Sequence, residues 1–260
     1  MSIYGDVSVE LKDYVATVEL HRPPHNFFDH QLLKNLADAF EALDRDPGCR
    51  ALVLASEGKS FCAGADFKQR AAARSADAES VGASQIYREA VRLFACEKPV
   101  VAAIHGAAVG GGLGLALVAD FRLVSPEARF AANFVRLGIH PGFGLTYTLP
   151  RLIGIQRASL MFLTGRRIHA EEAVAWGLAD ALARAEQLRE RARQLAAEIA
   201  ECAPLAVQST RKTLRRGLAD QVKAQTDHEF AEQSWLMRTE DHREGVRAVE
   251  ERRPGRFVGR

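Results

Sequence analysis

The feature that most constrains the fold is a pair of short apolar runs, each followed by a loop rich in glycine. Ala51–Ala55 precedes a loop over Ser56–Ala65, and Val100–Ile104 precedes a turn that contains three consecutive glycines, Gly110–Gly112. Such runs, bounded by turn signals, are typical of strands buried on both faces. The apolar stretch Leu113–Ala119 then predicts a helix. This succession of strand, loop and helix predicts a mainly parallel α/β core.

Segments on either side extend this pattern. Val7–Leu11 and Tyr14–Leu20 alternate or run apolar with a short polar break, which predicts a hairpin. Asp29 is placed to cap the N-terminus of a following amphipathic helix. Further strands are predicted over Phe121–Val124 and Ala128–Ala131.

The C-terminal third has a helical pattern. From Gln156 onward the apolar spacing predicts helices, the last of them over Asp241–Glu251. We therefore divide the chain into an α/β core over residues 1–195 and a helical region over residues 196–260. The polar stretch Ala71–Ser84 is predicted to be mobile or helical and able to cover a pocket.

The charge balance argues against a nucleic-acid-binding protein. The 260 residues carry 35 basic and 33 acidic side chains, a formal net charge of +2, which gives no electrostatic footprint for a phosphate backbone. An arginine cluster at the C-terminus could still hold a small anion, and a solvated helix face accounts for it equally well. Its members are Arg243, Arg247, Arg252, Arg253, Arg256 and Arg260.

Cysteine spacing and hydropathy bear on the compartment. The four cysteines form no C-x-x-C pair, which argues against a zinc site and a disulfide framework and favours free thiols in a reducing compartment. They are Cys49, Cys62, Cys96 and Cys202. The segment Met1–Asp6 lacks the features of a signal peptide, and the longest uncharged stretch, Pro99–Ala119, is interrupted by His105 and five glycines. We expect a cytoplasmic protein without a membrane partner.

Four common glycine-containing or catalytic motifs are absent from the sequence. A dinucleotide fingerprint starting at Gly110 or Gly112 would need its third glycine at Leu115 or Leu117. A phosphate-binding loop ending in Gly58-Lys59-Ser60 would need a glycine at Val53. Neither G-x-S-x-G nor H-E-x-x-H occurs, so a nucleophile elbow and a zincin helix are also unsupported.

The remaining interpretation is a pocket built by Phe61–Asp66 and Gly110–Gly114. Glycines at the start of a helix let backbone N–H groups approach a ligand closely, and the helix dipole favours negative charge there. A carbonyl oxygen that gains charge in a transition state suits such a position. The alternative, that these glycines only permit close packing of helix and strand, is equally compatible with the turn by itself.

A family resemblance extends over nearly the whole chain, from about residue 7 to residue 258. The loop over Gly58–Phe67, together with the segments around it, resembles the crotonase superfamily, the enoyl-CoA hydratase/isomerase group. The other matching segments are Lys98–Gly106, Gly110–Gly112, Gly138–Gly142, Leu163–Ile168, Trp176–Leu178 and Asp241–Phe257.

This resemblance implies a fold, a substrate class and site residues. The fold would be a crotonase-like spiral of ββα units with a helical C-terminal region that assembles a homotrimer or a dimer of trimers. Coenzyme A would enter as part of an acyl-CoA substrate, with no permanently bound cofactor and no metal. The backbone N–H groups of Ala65 and Gly111 would form the oxyanion hole. The implied CoA-binding residues are His25, Asn26, Phe27, Ala63, Asp66, Phe67, Gly110 and Arg252.

The sequence departs from the family at the proton-transfer positions. The two positions that hold glutamates in typical hydratases are occupied here by Gly114 and Phe134. Aspartates used in other branches would align with Pro141 and Gly142. General acid–base groups contribute about 10²–10⁴-fold each, so standard hydration is not expected. His140 is the titratable candidate in this loop, and its alternative role is a loop histidine satisfied by backbone groups.

Two hypotheses follow. The first is an acyl-CoA-processing enzyme, of the lyase or isomerase class, that works through an enolate oxyanion by isomerisation, hydrolysis or decarboxylation. The second is a catalytically silent protein that binds acyl-CoA. Retention of both oxyanion loops favours the first hypothesis, and loss of both glutamates favours the second.

Overall fold

The computed structural model describes residues 1–65 and 76–260, with the backbone alone over residues 76–83. Within these ranges the chain forms ten strands, ten α-helices and two short 3₁₀ segments. The strands are β1 Ser2–Tyr4, β2 Val7–Lys12, β3 Val15–Leu20, β4 Ala51–Ser56, β5 Val100–Ile104, β6 Ala107–Val109, β7 Phe121–Val124, β8 Arg129–Ala131, β9 Arg167–His169 and β10 Ala181–Leu182. The helices are α1 His30–Arg45, α2 Ala76–Phe94, α3 Gly111–Ala116, α4 Leu145–Ile153, α5 Ile155–Thr164, α6 Ala170–Trp176, α7 Leu188–Glu201, α8 Pro204–Leu214, α9 Leu218–Leu236 and α10 Glu240–Glu250. The 3₁₀ segments are Asn133–Leu137 and Ala185–Gln187.

The main sheet has seven strands in the order β1-β2-β3-β4-β5-β7-β10. Its first three strands are antiparallel, and the pairs from β3 to β10 are all parallel. This confirms the predicted hairpin, in which Val7 lies opposite Leu20, and the mainly parallel α/β core. A second sheet, in the order β6-β8-β9, combines one parallel and one antiparallel pair.

The central strands are buried on both faces, as their apolar runs predicted. In β4, Ala51, Val53 and Ala55 belong to a small core shared with α7, while Leu52 and Leu54 belong to the larger core on the opposite face. Successive side chains of a strand point to opposite faces, so an uninterrupted apolar run needs cover on both sides. Helix α7 supplies that cover on one face with residues at four-residue spacing, namely Leu188, Ala192, Ala196 and Ala200.

Helix α3 begins two residues earlier and ends three residues earlier than predicted. The chain leaves the helix after Ala116 because Asp120 ties it back to β5. The backbone N–H of Asp120 donates to the Val100 carbonyl at 2.8 Å, and the Asp120 carboxylate accepts from the Val100 N–H at 2.8 Å. The apolar residues of the predicted last turn therefore form the approach to β7.

The prediction of an uninterrupted helical pattern after Gln156 is wrong at two places. Strand β9 pairs with β8, with Ile168 opposite Phe130, and β10 pairs with β7 and forms the edge of the main sheet. Both strands are too short, at three and two residues, to show a period-2 pattern. Partners distant in sequence, rather than local propensity, determine them.

The helices of the structure bear on the predicted domain boundary, the predicted cover segment and the predicted lack of a membrane partner. The proposed division after residue 195 falls inside α7, which spans Leu188–Glu201. The predicted cover segment Ala71–Ser84 lies outside the described residues up to residue 75, and its remainder belongs to α2. Across the described ranges, none of the helices combines the length and the hydropathy needed to traverse a bilayer.

Candidate functional site

The two loops predicted to form the pocket meet at the N-terminus of α3. Gly64 adopts a φ of 88°, and a Cβ added to it would lie 3.4 Å from the Gly111 nitrogen and 2.8 Å from the Val109 carbonyl oxygen. Ala65, the next residue, is paired with Phe28 in an isolated β-bridge. The structure therefore brings the two predicted backbone donors, Ala65 and Gly111, to adjacent positions.

Close backbone contacts explain why glycines occupy the start of α3. The Val109 N–H donates to the Cys62 carbonyl, and the Cys62 N–H donates to the Ala107 carbonyl, both at 3.0 Å. A Cβ at Gly112 would overlap the Cys62 carbonyl oxygen. Gly110 precedes the helix with a φ of 56°, a left-handed value that favours glycine. The packing alternative considered for these glycines is thus correct for Gly112, and the same packing aligns the loop beside the helix start.

Two phenyl rings cover the start of α3. A Cβ at Gly111 would meet the ring of Phe28, and a Cβ at Gly114 would lie 2.6 Å from Cδ1 of Phe143. Both side chains are buried, and their ring centroids are 5.7 Å apart. The space that a glutamate at position 114 would enter is therefore occupied by Phe143.

The second position that lacks its glutamate is also apolar. Phe134 lies in the 3₁₀ segment Asn133–Leu137 and is buried. Its Cζ would be 3.6 Å from a Cβ added at Gly110, so its ring borders the turn that leads into α3. Neither position offers a group that can move a proton.

His140 lies in the loop between the 3₁₀ segment and α4. Its Nδ1 lies 2.8 Å from the Pro141 carbonyl oxygen. Because a carbonyl only accepts, Nδ1 carries the hydrogen and Nε2 keeps the lone pair of the neutral ring. The carbonyl of His140 accepts from Gln233 Nε2 at 2.7 Å, and its ring is 5.8 Å from that of His228. The backbone-satisfied alternative thus holds for one ring nitrogen, and the catalytic role stays a prediction.

Gly142, where another branch of the family would place an aspartate, is closed by neighbouring side chains. A Cβ there would overlap the Tyr87 hydroxyl and lie 2.7 Å from Gln233 Nε2. Tyr87 in turn donates to Gln233 Oε1 at 2.7 Å. The loop is therefore packed against α2 and α9 at this residue.

Asn26 lies in the loop between β3 and α1 and has a structural role there. Its buried side chain donates to the carbonyls of Glu57, at 2.6 Å, and Ser60, at 2.8 Å, and accepts from the Arg22 N–H at 3.0 Å. All three partners are backbone groups, so the side chain fixes the loop between β3 and α1 against the loop that follows β4. The predicted CoA contact of Asn26 is thereby restricted to its backbone.

His25 and Phe27 remain accessible. Both line a cleft of about 380 Å³ together with residues 22–24, 28 and 29, and their rings meet edge-on at 5.9 Å. His25 contacts Ser60 Oγ through Nδ1 at 3.0 Å, and its carbonyl accepts from the Ala63 N–H at 2.9 Å. These residues and Ala63 are therefore close enough to form one surface.

The remaining predicted CoA-binding residues are Asp66, Phe67 and Arg252. Asp66 and Phe67 lie outside the described residues. Arg252 is exposed at the end of α10, with a φ of 54°. Its neighbour Arg253 is paired with Glu244 and Glu251.

Two buried groups near the site have shifted pKa values. Burial raises the pKa of the Cys62 thiol to about 12, so it is a neutral packing residue and not a nucleophile. Burial also raises the pKa of Glu229 to about 7, opposed by hydrogen bonds from Thr146 and Gly144. Sequence reasoning missed Glu229 and Phe28, because neither lies in a motif and both act through contacts with distant segments.

One cluster outside the site has the composition of a metal site. Ligand atoms of Glu19, His21 and Glu57 lie within 4.8 Å of one another. Glu19 is paired with Arg189, and His21 contacts Glu57 at 3.1 Å and Ser8 Oγ at 2.7 Å. These groups satisfy one another, so the arrangement is explained without an ion.

The whole chain is similar to characterised sequences. The family model described as Enoyl-CoA hydratase/isomerase matches residues 10–260. A probable enoyl-CoA hydratase of Bacillus subtilis is 32% identical over 254 residues, covering 97% of this chain and 98% of that protein. A crotonyl-CoA hydratase of Syntrophomonas wolfei is 32% identical over 261 residues, covering 99% of each chain. The 1,2-epoxyphenylacetyl-CoA isomerase of Escherichia coli is 33% identical over 250 residues, covering 95% of each.

Solved structures agree with these sequences. An enoyl-CoA hydratase/isomerase from Pseudoalteromonas atlantica superposes with a TM-score of 0.88 at 28% identity, covering 98% of this chain and 100% of that one. An enoyl-CoA hydratase from Mycobacterium avium superposes with a TM-score of 0.84 at 27% identity, with the same coverage. These likenesses confirm the predicted crotonase-like fold. The chain belongs to the enoyl-CoA hydratase/isomerase family of the crotonase superfamily.

Proposed function

We propose that the protein binds an acyl-CoA thioester and stabilises the enolate oxyanion formed from it. The backbone N–H groups of Ala65 and Gly111 polarise the thioester carbonyl. The observation that carries this proposal is the position of the Gly64–Ala65 segment beside the Gly111 nitrogen. Two fixed donors aimed at a developing oxyanion are worth about 3–4 kcal/mol of transition-state stabilisation each.

The reaction differs from standard hydration. Addition of water to a double bond needs a base for the water and an acid for the α-carbon. Gly114 and Phe134 supply neither, and Phe143 fills the space beside Gly114. Isomerisation, hydrolysis and decarboxylation are the reactions that remain.

Decarboxylation of a carboxyacyl-CoA fits the site best. The bond between the α-carbon and the carboxylate breaks, CO₂ leaves, and the electron pair forms the enolate that the two donors hold. The α-carbon then takes a proton from water, or from Nε2 of His140 when both ring nitrogens are protonated. No base is required, and a site lined by phenyl rings disfavours the carboxylate of the substrate more than the charge-dispersed transition state.

The second candidate is a catalytically silent acyl-CoA-binding protein. The filled space at Gly114 supports it, because a phenyl ring in place of a carboxylate preserves an apolar pocket without any proton-transfer group. In this case the same two donors bind the thioester carbonyl in its ground state only.

A substrate panel with matched calorimetry separates the candidates. Crotonyl-CoA, a 3-enoyl-CoA, malonyl-CoA and an aryl-CoA ester are assayed for turnover and titrated for binding. The enzyme proposal predicts release of CO₂ from malonyl-CoA and no hydration of crotonyl-CoA. Binding of the esters without any turnover would leave the silent binder, and absence of binding would contradict both candidates.

The role of His140 is tested within the same panel. His140→Ala is expected to slow turnover about tenfold or more while thioester binding is retained. The matched control is His228→Ala, which removes the exposed ring 5.8 Å away. Equal activity of His140→Ala and wild type would remove His140 from the mechanism.

We propose that residues 196–260 form a trimerisation region and that the protein works as a homotrimer or a dimer of trimers in the cytoplasm. Large exposed apolar side chains support self-association: Leu205 and Leu214 of α8 are 79% and 78% exposed, and Leu163 of α5 is 78% exposed. Light scattering during size-exclusion chromatography tests the assembly, with a monomer as the contradicting result.

A further inference from the structure

A buried carboxylate lies behind the loop that carries Phe143. Glu229 of α9 has no exposed surface, and both of its oxygens accept hydrogen bonds from the start of α4. Oε2 accepts from the Gly144 N–H at 2.7 Å. Oε1 accepts from the Thr146 N–H at 3.0 Å and from the Thr146 hydroxyl at 2.6 Å. The N-cap residue of α4, Gly144, has no side chain, so Glu229 caps the helix from a distant segment.

The capped segment has an unusual backbone. Phe143 adopts a φ of 65° and Gly144 a φ of 71°. Such values are left-handed, and a bulky residue holds them only where its surroundings require it. Val222 of α9 closes Gly144 from one side, with 2.9 Å between its Cγ1 and a Cβ added at Gly144. Helix α9 thus fixes the residue directly after Phe143 by a contact and a hydrogen bond.

The ring of Phe143 lies against the start of α3, so the fixed backbone of Phe143 determines where this ring sits in the site. Its Cβ and Cδ1 would lie 2.7 Å and 2.6 Å from a Cβ added at Gly114, and its Cδ2 would lie 3.6 Å from one added at Gly111. A change in the backbone of Phe143 therefore changes the space beside the proposed thioester carbonyl. The distance in sequence between Glu229 and Gly144 is 85 residues.

We infer that Glu229 is a positioning residue for the acyl site, which holds Phe143 in its left-handed conformation against Gly111 and Gly114. This inference rests on the proposed function, because the site it positions is the proposed thioester pocket. Glu229 acts through Phe143 and does not touch the substrate.

The ionisation of Glu229 couples the site to pH. An ionised carboxylate accepts from all three donors, whereas a protonated one turns an O–H toward a shell of donors. Burial raises the pKa of Glu229 to about 7, and hydrogen bonds from Thr146 and Gly144 oppose the rise. The elements packed here carry other titratable or charged side chains, which include Lys223, Asp227, His228 and Glu232 on α9, His140 on the loop, Tyr147 and Arg151 on α4, and Tyr87, Arg88, Glu89 and Arg92 on α2.

The test measures butyryl-CoA binding by calorimetry from pH 5.5 to pH 9 for wild type, Glu229→Gln and Glu232→Gln. Glu232 is a partly exposed residue of the same helix whose carboxylate accepts from Trp235 Nε1, so it controls for charge removal. The CoA phosphates titrate equally in all three proteins. Wild type and Glu232→Gln are expected to bind about tenfold more tightly above pH 7 than below it, which corresponds to about one pH unit between the pKa values of the free and bound states. Glu229→Gln is expected to bind weakly and without this step.

A second variant retains the carboxylate and guards against a folding defect in Glu229→Gln. Thr146→Val removes one hydrogen bond that lowers the pKa of Glu229. The pH step of wild type is therefore expected to move to higher pH in Thr146→Val. An unmoved step, or a folded Glu229→Gln that keeps it, would overturn the inference.

The path through Phe143 is tested by a double-mutant cycle. In a Phe143→Leu background, Glu229→Gln is expected to change the dissociation constant less than threefold, because the ring it positions is gone. Fully additive effects would overturn the inference. If wild type binds no butyryl-CoA, the proposed function fails and the inference fails with it. If wild type binds and the variants behave alike, only the inference fails.

Discussion

The two sides of the site are built by different means, one from backbone groups and the other from side chains. On one side, Gly64 and the segment Gly110–Gly112 meet at the start of α3, and glycine is required at Gly64 and Gly112 because backbone atoms of the neighbouring segment lie too close for a Cβ. On the other side, Gly114 and Phe134 stand where relatives are expected to carry acids, and phenyl rings fill the space. We therefore expect binding of a thioester carbonyl, proposed for the backbone side, to be separable from proton transfer.

The comparison has a simple physical basis. Backbone donors are positioned by the packing of the whole loop, so a change on this side disturbs the fold itself. A side-chain acid can be replaced by an apolar residue if the volume is refilled, and Phe143 refills it at Gly114. We therefore expect substitutions on the backbone side to reduce stability and substitutions on the side-chain side to alter the reaction.

The largest effect is expected from Gly112→Ala. The new Cβ would overlap the carbonyl oxygen and carbonyl carbon of Cys62, and backbone atoms cannot give way as the end of a flexible side chain can. We expect a loss of at least about 4 kcal/mol in the free energy of unfolding and loss of acyl-CoA binding, measured by urea denaturation and calorimetry. Gly217→Ala is the control, because a Cβ there meets nothing within 4 Å at a φ of 73°, and it should cost only about 1 kcal/mol. Equal effects of the two substitutions would contradict the steric account.

Asn26→Ala is expected to be the next most damaging change. It leaves the carbonyls of Glu57 and Ser60 and the N–H of Arg22 without their partner. At about 1 kcal/mol for each bond, the loss in stability is about 3 kcal/mol. Urea denaturation provides the measurement. His25→Ala, on the accessible side of the same loop, should weaken CoA binding with little effect on the free energy of unfolding. A large loss of stability in His25→Ala together with a small one in Asn26→Ala would contradict this assignment of roles.

Glu229→Gln tests the side-chain side of the site through the pH dependence of the free energy of unfolding. The folded-state pKa of Glu229 is raised to about 7, so the stability it contributes is complete below its unfolded pKa and is lost as pH rises through 7. Gln does not titrate. The stability of wild type relative to Glu229→Gln is therefore expected to fall by about 2–3 kcal/mol between pH 5 and pH 8.5, measured by denaturation at each pH. A constant difference would show that burial does not raise this pKa.

Gly114→Ala is expected to have the smallest effect. The added Cβ would lie 2.6 Å from Phe143 Cδ1, which costs about 2 kcal/mol of stability because the ring must shift. In a Phe143→Gly background the cost should vanish, since the clashing ring is absent. A cost that persists there would mean that the space beside Gly114 is closed by something other than Phe143.

The sequence predicted the backbone side of the site better than the side-chain side. Apolar runs at Ala51–Ala55 and Val100–Ile104, with glycines after them, lead to adjacent parallel strands and converging loops, and these depend on local patterns. The placement of Phe143 depends on a left-handed backbone that a phenylalanine rarely adopts. The role of Glu229 depends on donors 85 residues away, for which no local pattern exists.

The same distinction accounts for the errors in the fold. Strands β9 and β10 are defined by partners in β8 and β7, not by their own two or three residues. The early end of α3 follows from Asp120 bonding to Val100, 20 residues before it. Asp66 and Phe67 stay predictions, because they lie beyond the part of the chain that the structure describes.

The most direct test of the backbone side is the infrared carbonyl stretch of butyryl-CoA labelled with ¹³C at the thioester carbon and bound to the protein. Two N–H donors at the oxygen, from Ala65 and Gly111, should polarise the bond and move the stretch to lower frequency than in water, and Gly112→Ala should abolish the bound band. A bound thioester whose carbonyl stretch matches that of the free compound in water would contradict the account.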